Sequence, residues 1–438
     1  MQNPTNPTDV PAAENSKPTS MRRVAVASLI GTTIEFYDFY AYGIAAALVL
    51  NTAFFPELSD TAGTLAAFST YAVAFAARPI GAIIFGHWGD RIGRKAVLIA
   101  SLLTMGIATV LIGLLPGYET LGIWAAAILV VLRFLQGVGL GGEWGGAALL
   151  ATEHAPEGRR GFYAMFPQLG PSIGFILANG LFLIVRLNVS EENFASWGWR
   201  IPFIASLALV VVGLWVRVTV AETPAFKKAA ESDKLSRVPF VELLQREWKH
   251  VLLGAGVMML QYTLFYTATT YCLSYGTKVL GIPQQDMLLM TLLAVLALAA
   301  GTIASATLSD RLGRKKVLVA GAAAGVIWGF VMFPLINTET YFLVWLALAG
   351  ALGIMGVTFG PMAAYLPELF PTRLRYSGAG LAYSVGGILG GSLPPIVATY
   401  LNANFGSYTV GLYISFVGLI SLACTLAVRE TKDTDISV

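Results

Sequence analysis

Charge is what this chain of 438 residues most lacks: Asp, Glu, Lys and Arg make up only 12% of it. A domain folded in water carries about 25%. Cysteine is nearly absent too. Cys272 and Cys424 are too few and too far apart for a disulfide framework or a thiolate metal site, so packing is their expected role and no metal is expected. The three histidines, His87, His154 and His250, are scattered, and no nucleotide loop, zinc spacing or nucleophile elbow occurs. These gaps leave no route to enzymatic chemistry or ATP-driven work, and no cofactor is expected. The net charge of +3 gives no reason to invoke nucleic acid.

What the chain has in abundance is apolar sequence. Hydrophobic residues make up 56% and the mean hydropathy is +0.69. They gather in stretches of about 20 residues or more, long enough as helices to cross a hydrocarbon core of about 30 Å. The short alternating segments of a membrane barrel are missing. The expected fold is an all-α membrane protein in the lipid bilayer, with twelve transmembrane helices near 24–50, 62–86, 96–116, 121–150, 161–186, 199–220, 250–275, 288–308, 316–336, 341–366, 376–401 and 408–428.

Of the 28 Lys and Arg, only Arg186, Arg200 and Lys278 fall in loops on one side, and Arg78 and Arg133 lie inside spans. The others collect on the opposite side. Basic loops stay cytoplasmic, so both termini are expected inside, in a bacterial cell membrane. The Pro-, Asn- and Thr-rich start, 1–22, reads as a disordered cytoplasmic tail rather than a signal peptide.

The polar segment 221–249 divides the spans six and six, as a cytoplasmic loop between bundles at 23–220 and 250–428, with a short cytoplasmic tail at 429–438. The halves repeat a signature. "GHWGDRIGRKAVL" (86–98) follows span two and "SDRLGRKKVLV" (309–319) follows span eight. A second echo joins "ATEHAPEGRRG" (151–161) to "LPELFPTRLRYSG" (366–378). Two six-helix bundles of parallel topology, with a site at the midplane between them, are the expected architecture.

The loop motif in both halves, "EFYDFYAYG" in span one, "ARPIGAIIFGHWGDRIGRK" at span two and "RFLQGVGLGGEWGG" in span four resemble the major facilitator superfamily, and within it the metabolite:H⁺ symporter family. That resemblance implies proton-driven transport of a small metabolite, of the kind that carriers of citrate, α-ketoglutarate, shikimate, proline and betaine perform. It also implies that Gly86, Asp90, Arg94 and Glu153, with Asp310, Arg314 and Glu368 in the second half, latch the cytoplasmic side shut. Asp90 is expected to accept N–H groups at the start of span eleven, and Arg314 to bridge to Glu368.

Within the spans, Glu35 and Asp38 are three residues apart in an otherwise uncharged apolar run, on one helix face. An ionised carboxylate at the bilayer centre costs roughly 2.5–3.5 kcal/mol, and two on one face repel. One of them is therefore expected to hold a proton part of the time, as a coupling site, with Asp38 the stronger candidate. The alternative is a fixed structural partner for an arginine. Phe36, Phe39 and Tyr40 are expected to pack and Tyr42 to line a cavity.

Arg133 sits near the middle of span four, with Gln136 and Glu143 on its stripe. A guanidinium stays charged, so Asp38 or Glu35 is its expected counter-charge until a substrate carboxylate replaces it. Arg78 in span two is a second carboxylate clamp, or else snorkels to the interface. Gln261, Tyr262 and Tyr266 in span seven would form the far wall. Two arginines suit a monoanion, dianion or zwitterion better than a tricarboxylate, and the tyrosines suit a betaine. A proton-coupled symporter working as a monomer is the expected function. An uncoupled facilitator, an exchanger and a non-transporting sensor remain as alternatives; "QLGPSIGF" in span five, either an exchanger-like Gly-Pro motif or a kink at Pro171, leaves exchange open.

Overall fold

The computed structural model describes residues 21–92, 94–141, 158–219, 243, 245–371 and 374–432. No strand forms among them. Eleven helices are long and apolar enough to cross a membrane, and Met21–Leu48, 28 residues long, makes the twelfth long helix. In chain order they are α1 (Met21–Leu48), α2 (Asp60–Ile92), α3 (Arg94–Leu114), α4 (Ile123–Leu140), α5 (Arg160–Asn188) and α6 (Ile201–Thr219). The second set is α7 (Trp248–Lys278), α8 (Gln284–Leu312), α9 (Arg314–Ile336), α10 (Tyr341–Glu368), α11 (Ser377–Phe405) and α12 (Tyr408–Ala427).

The two sets pack alike. In the first, α1 packs on α5 and α6, α2 on α4, and α3 on α4 and α6; in the second, α7 packs on α11 and α12, α8 on α10, and α9 on α10 and α12. Each helix has the neighbours of the helix six places later. The sets meet where α5 lies along α8, α2 along α11 and α1 against α7. Without a hydrophobic drive between helices in lipid, such contacts need close backbones and interhelical hydrogen bonds. Asn179 of α5 supplies one, donating from Nδ2 to Leu288 O (2.7 Å) and Thr291 Oγ1 (3.1 Å) on α8. Gln168, three turns earlier, donates to Phe359 O on α10 (2.8 Å).

Glycine decides how near the helices come. A Cβ on Gly137 of α4 would lie 2.2 Å from Ala74 O of α2, and one on Gly141 2.0 Å from Arg78 O. The glycines of span four therefore serve close approach to α2. Gly170 and Gly174 in the Gly-Pro stretch of α5 do the same against Thr32 and Thr33 of α1, which gives that stretch a packing role. Gly137→Val should destabilise the fold by about 1–3 kcal/mol through overpacking, read as a lower melting temperature of the purified protein. An unchanged melting temperature would mean that α2 and α4 are not held this close.

The α8–α9 turn needs its glycine for another reason. Gly313 adopts φ +102°, a conformation that L side chains avoid, so the chain reverses within one residue and Arg314 begins α9 beside Asp310.

Candidate functional site

The buried charges of the first bundle converge on one aromatic ring. Arg78 of α2 and Arg133 of α4 are 3% and 0% exposed. The Arg78 guanidinium carbon lies 4.4 Å from the ring centres of Phe39 and Phe75. That of Arg133 lies 3.7 Å from Tyr42, 5.1 Å from Tyr71 and 5.2 Å from Phe39. Phe39 therefore sits between two cations, which its π-face attracts. Arg78 does not snorkel.

The direct ion pair expected for Arg133 does not form. Among the described residues no carboxylate comes within ion-pair distance of it, because Gln136, one turn along α4, occupies that side. Arg133 Nη1 donates to Gln136 Oε1, and Gln136 Nε2 donates to Thr109 Oγ1 of α3 (2.8 Å). Nε and Nη2 of both Arg133 and Arg78 are buried without a hydrogen-bond partner. Those two nitrogens form one edge of the guanidinium, the fork that takes a carboxylate bidentately. Each unsatisfied buried donor costs about 1–3 kcal/mol, so the arrangement is costly unless a ligand completes it.

Asp38 is fully buried, and both its carboxyl oxygens lack a hydrogen-bond partner. Thr109 of α3 and Ser206 of α6 flank it, yet their hydroxyls donate to Met105 O (2.9 Å) and Phe203 O (2.8 Å) one turn back in their own helices. Glu35, also buried, acts electrostatically on Arg78, Tyr40 and Tyr383.

Between the bundles lies a cavity of about 10 Å³ lined by Phe36 and Tyr40 of α1, Gln261, Tyr262, Phe265 and Tyr266 of α7, Met355 and Phe359 of α10, and Tyr383 of α11. That volume holds no more than about one water, so the cavity as it stands is too small for a metabolite. Gln261, Tyr262 and Tyr266 line it, as their spacing suggests. Phe36 and Tyr40 line it too, contrary to the packing role expected for them, because α1 turns that face toward α7. Tyr42 instead lies beneath Arg133 with its hydroxyl on Thr70, away from the cavity. Sequence reasoning missed Thr109, Ser206, Met355, Phe359 and Tyr383. Thr109 and Ser206 were visible as isolated hydroxyls in apolar stretches of α3 and α6; Met355 and Phe359 carry no polar signal at all.

At one end of the molecule, Asp310 closes the seam between the bundles. Its oxygens accept from Gly161 N and Phe162 N at the start of α5, both at 2.9 Å, where the helix dipole favours an anion. Arg314 Nη1 lies 2.6 Å from Asp310 Oδ1, and Arg314 Nε lies 3.7 Å from Glu368 Oε2. Glu143, Glu153 and the surroundings of Gly86 lie outside the described residues, as do the side chains of Asp90 and Arg94. Bonds to a charged acceptor contribute about 1.5–3 kcal/mol each. Asp310→Asn should therefore part this end, lengthening the distance between spin labels on the start of α5 and the end of α8; unchanged distances would show that Asp310 does not hold the seam.

The family model described as sugar (and other) transporter matches residues 24–437. The chain belongs to that family. It is 48% identical to the inner membrane metabolite transport protein YhjE of Escherichia coli (strain K12), over 94% of this chain and 95% of that protein. It is 38% identical to the shikimate transporter of the same strain, over 94% and 95%, and 31% identical to that strain's proline/betaine transporter, over 94% and 84%. Among solved structures, the partially occluded inward open xylose transporter XylE from E. coli superposes with a TM-score of 0.74 at 18% identity, over 95% of this chain and 99% of that one; at that identity the likeness is one of fold. This member of the sugar (and other) transporter family is a membrane transporter of small molecules and not an enzyme.

Proposed function

We propose that the protein is a proton-coupled symporter of a small organic acid anion or zwitterionic metabolite, working by alternating access in the bacterial inner membrane as a monomer with both termini cytoplasmic. One observation carries the reading: a carboxyl (Asp38) and two guanidinium forks (Arg78 and Arg133) are buried in the same bundle, each short of a partner. A proton can neutralise the first and a cargo carboxylate can complete the others. In this reading Glu35 is the second candidate for the proton. Gln136, Gln261, Tyr262 and Tyr266, with Tyr40 and Tyr383, contact the cargo when the bundles part around the cavity, and Tyr42 orients Arg133. The cluster of Asp310, Arg314 and Glu368 holds the cytoplasmic side closed, with Gly86, Asp90, Arg94 and Glu153 doing the same in the first half. The proton gradient supplies the energy, so no cofactor is needed.

The names of the shikimate and proline/betaine relatives support both cargo classes. An aromatic wall of Tyr40, Tyr262, Tyr266 and Phe36 suits the cationic end of a zwitterion, whereas the arginine forks suit its carboxylate. The test is uptake by proteoliposomes of labelled shikimate, proline, glycine betaine and simple organic acids, with and without an imposed pH gradient. At least one should accumulate against its gradient and lose that accumulation when a protonophore is added. Entry of a cargo at the same rate and extent with the protonophore present would instead favour an uncoupled facilitator.

A further inference from the structure

The cargo and proton sites do not touch, yet a continuous set of side chains joins them. Gln136 lies between: its Oε1 accepts from Arg133 Nη1, while its Nε2 donates to Thr109 Oγ1 (2.8 Å) and approaches Asp38 O (3.4 Å). Thr109 then flanks the Asp38 carboxyl. All four residues are 1% exposed or less, so no bulk water substitutes for any link.

We infer that Gln136 and Thr109 are the connection through which occupancy of Arg133 controls the proton on Asp38. The inference rests on the proposal that Asp38 carries the proton. While Gln136 holds Arg133, its amide donates a hydrogen bond to Thr109 Oγ1, and the Thr109 hydroxyl donates one to Met105 O. Thr109 in that state offers Asp38 no donor. A cargo carboxylate on the free Nε–Nη2 edge of Arg133 neutralises the guanidinium, which weakens the Nη1 bond to Gln136 Oε1 and lets the amide turn. Thr109 Oγ1 then accepts from a protonated Asp38, so cargo and proton favour each other's binding, and by linkage the effect is mutual. No bond other than hydrogen bonds changes, and the proton enters and leaves at Asp38 Oδ.

Other groups around Asp38 do not provide the link. On α1, Tyr37 Oη donates to Pro202 O (2.7 Å), and Glu35 acts on Arg78. From α2, Arg78 stacks on Phe39 and Phe75, and Tyr71 lies beneath Arg133. Tyr266 of α7 packs on Tyr71 and Phe75. No ionisable residue occurs in α3 after Lys95, in α5 between Tyr163 and Arg186, or in α6 before Arg217. Ser206 flanks the carboxyl but its hydroxyl bonds Phe203 O and forms no hydrogen bond with Gln136, which makes it an internal control.

Infrared titration of the purified full chain in lipid tests this without a cargo. The carbonyl band of a protonated buried carboxyl is assigned to Asp38 by its loss in Asp38→Asn. Removing the guanidinium with Arg133→Gln, or loosening its fork with Arg133→Lys, should displace the titration of that band. The displacement should vanish in a Thr109→Val or Gln136→Leu background, persist in Ser206→Ala, and return in Thr109→Ser. A displacement as large in Thr109→Val as in the wild type would overturn the connection and leave a through-space effect. Should Asp38→Asn remove no band, the proton site itself is misassigned, a failure distinct from that of the connection.

Discussion

Arg133→Gln is expected to weaken cargo uptake more than any other single change in the site. A substrate carboxylate held bidentately in a dry pocket loses about 2–5 kcal/mol when its partner is truncated, which is roughly 30-fold to several thousand-fold in affinity. Arg133→Lys should recover only a small part, because an ammonium keeps the charge but not the planar fork. The loss should appear as a raised KM for whichever labelled cargo the wild type accumulates. The folded state should not suffer, since the substitution removes buried donors that have no partner. Arg133→Gln with the wild-type KM would show that the fork does not hold cargo, leaving Arg78 as the clamp.

Asp38→Asn is expected to abolish accumulation entirely while leaving exchange. The amide resembles the protonated carboxyl in shape and charge, so the bundles can still close around cargo and reopen. What is lost is the release of a proton to the other side, and with it the link to the gradient. Counterflow of labelled against unlabelled cargo should proceed within a few-fold of the wild type, whereas uphill uptake should fall to equilibration. Because Asp38 is buried with both oxygens unbonded, Asp38→Asn also removes the cost of burying a charge, so its melting temperature should equal or exceed that of the wild type. Undiminished accumulation would shift the coupling role to Glu35.

Much of this architecture is legible in the sequence because the bilayer enforces it. A span must be long, apolar and helical, so span positions and the repeat of the "D-R-x-G-R-K" loop announce themselves. Isolated charges in such spans announce themselves equally well, and Asp38, Glu35, Arg78 and Arg133 all lie buried in the core. What could not be read was which of them meet. Charge alone pairs Arg133 with Asp38, but rotation of α4 and the reach of Gln136 decide the matter, and a side-chain amide one turn away is ambiguous in sequence. The cavity wall was half legible for the same reason. Tyr262 and Tyr266 share a helical face with Gln261, whereas Phe36 and Tyr40 look like ordinary packing residues until α1 is seen against α7. The seam at Asp310 repeats the pattern expected for Asp90 and span eleven: its partners are the first amides of α5, the helix six places earlier, in the other bundle.

The unpaired carboxyl of Asp38 is the point on which proton coupling depends, and proton movement can be watched directly. Proteoliposomes loaded with a pH-sensitive dye, with equal pH on both sides and electrical charge compensated, are given an inward gradient of an accumulated cargo. The lumen should acidify as cargo enters through the wild-type protein and stay constant with Asp38→Asn at a matched rate of entry. Cargo entering through the wild type with no change in lumenal pH would contradict the account.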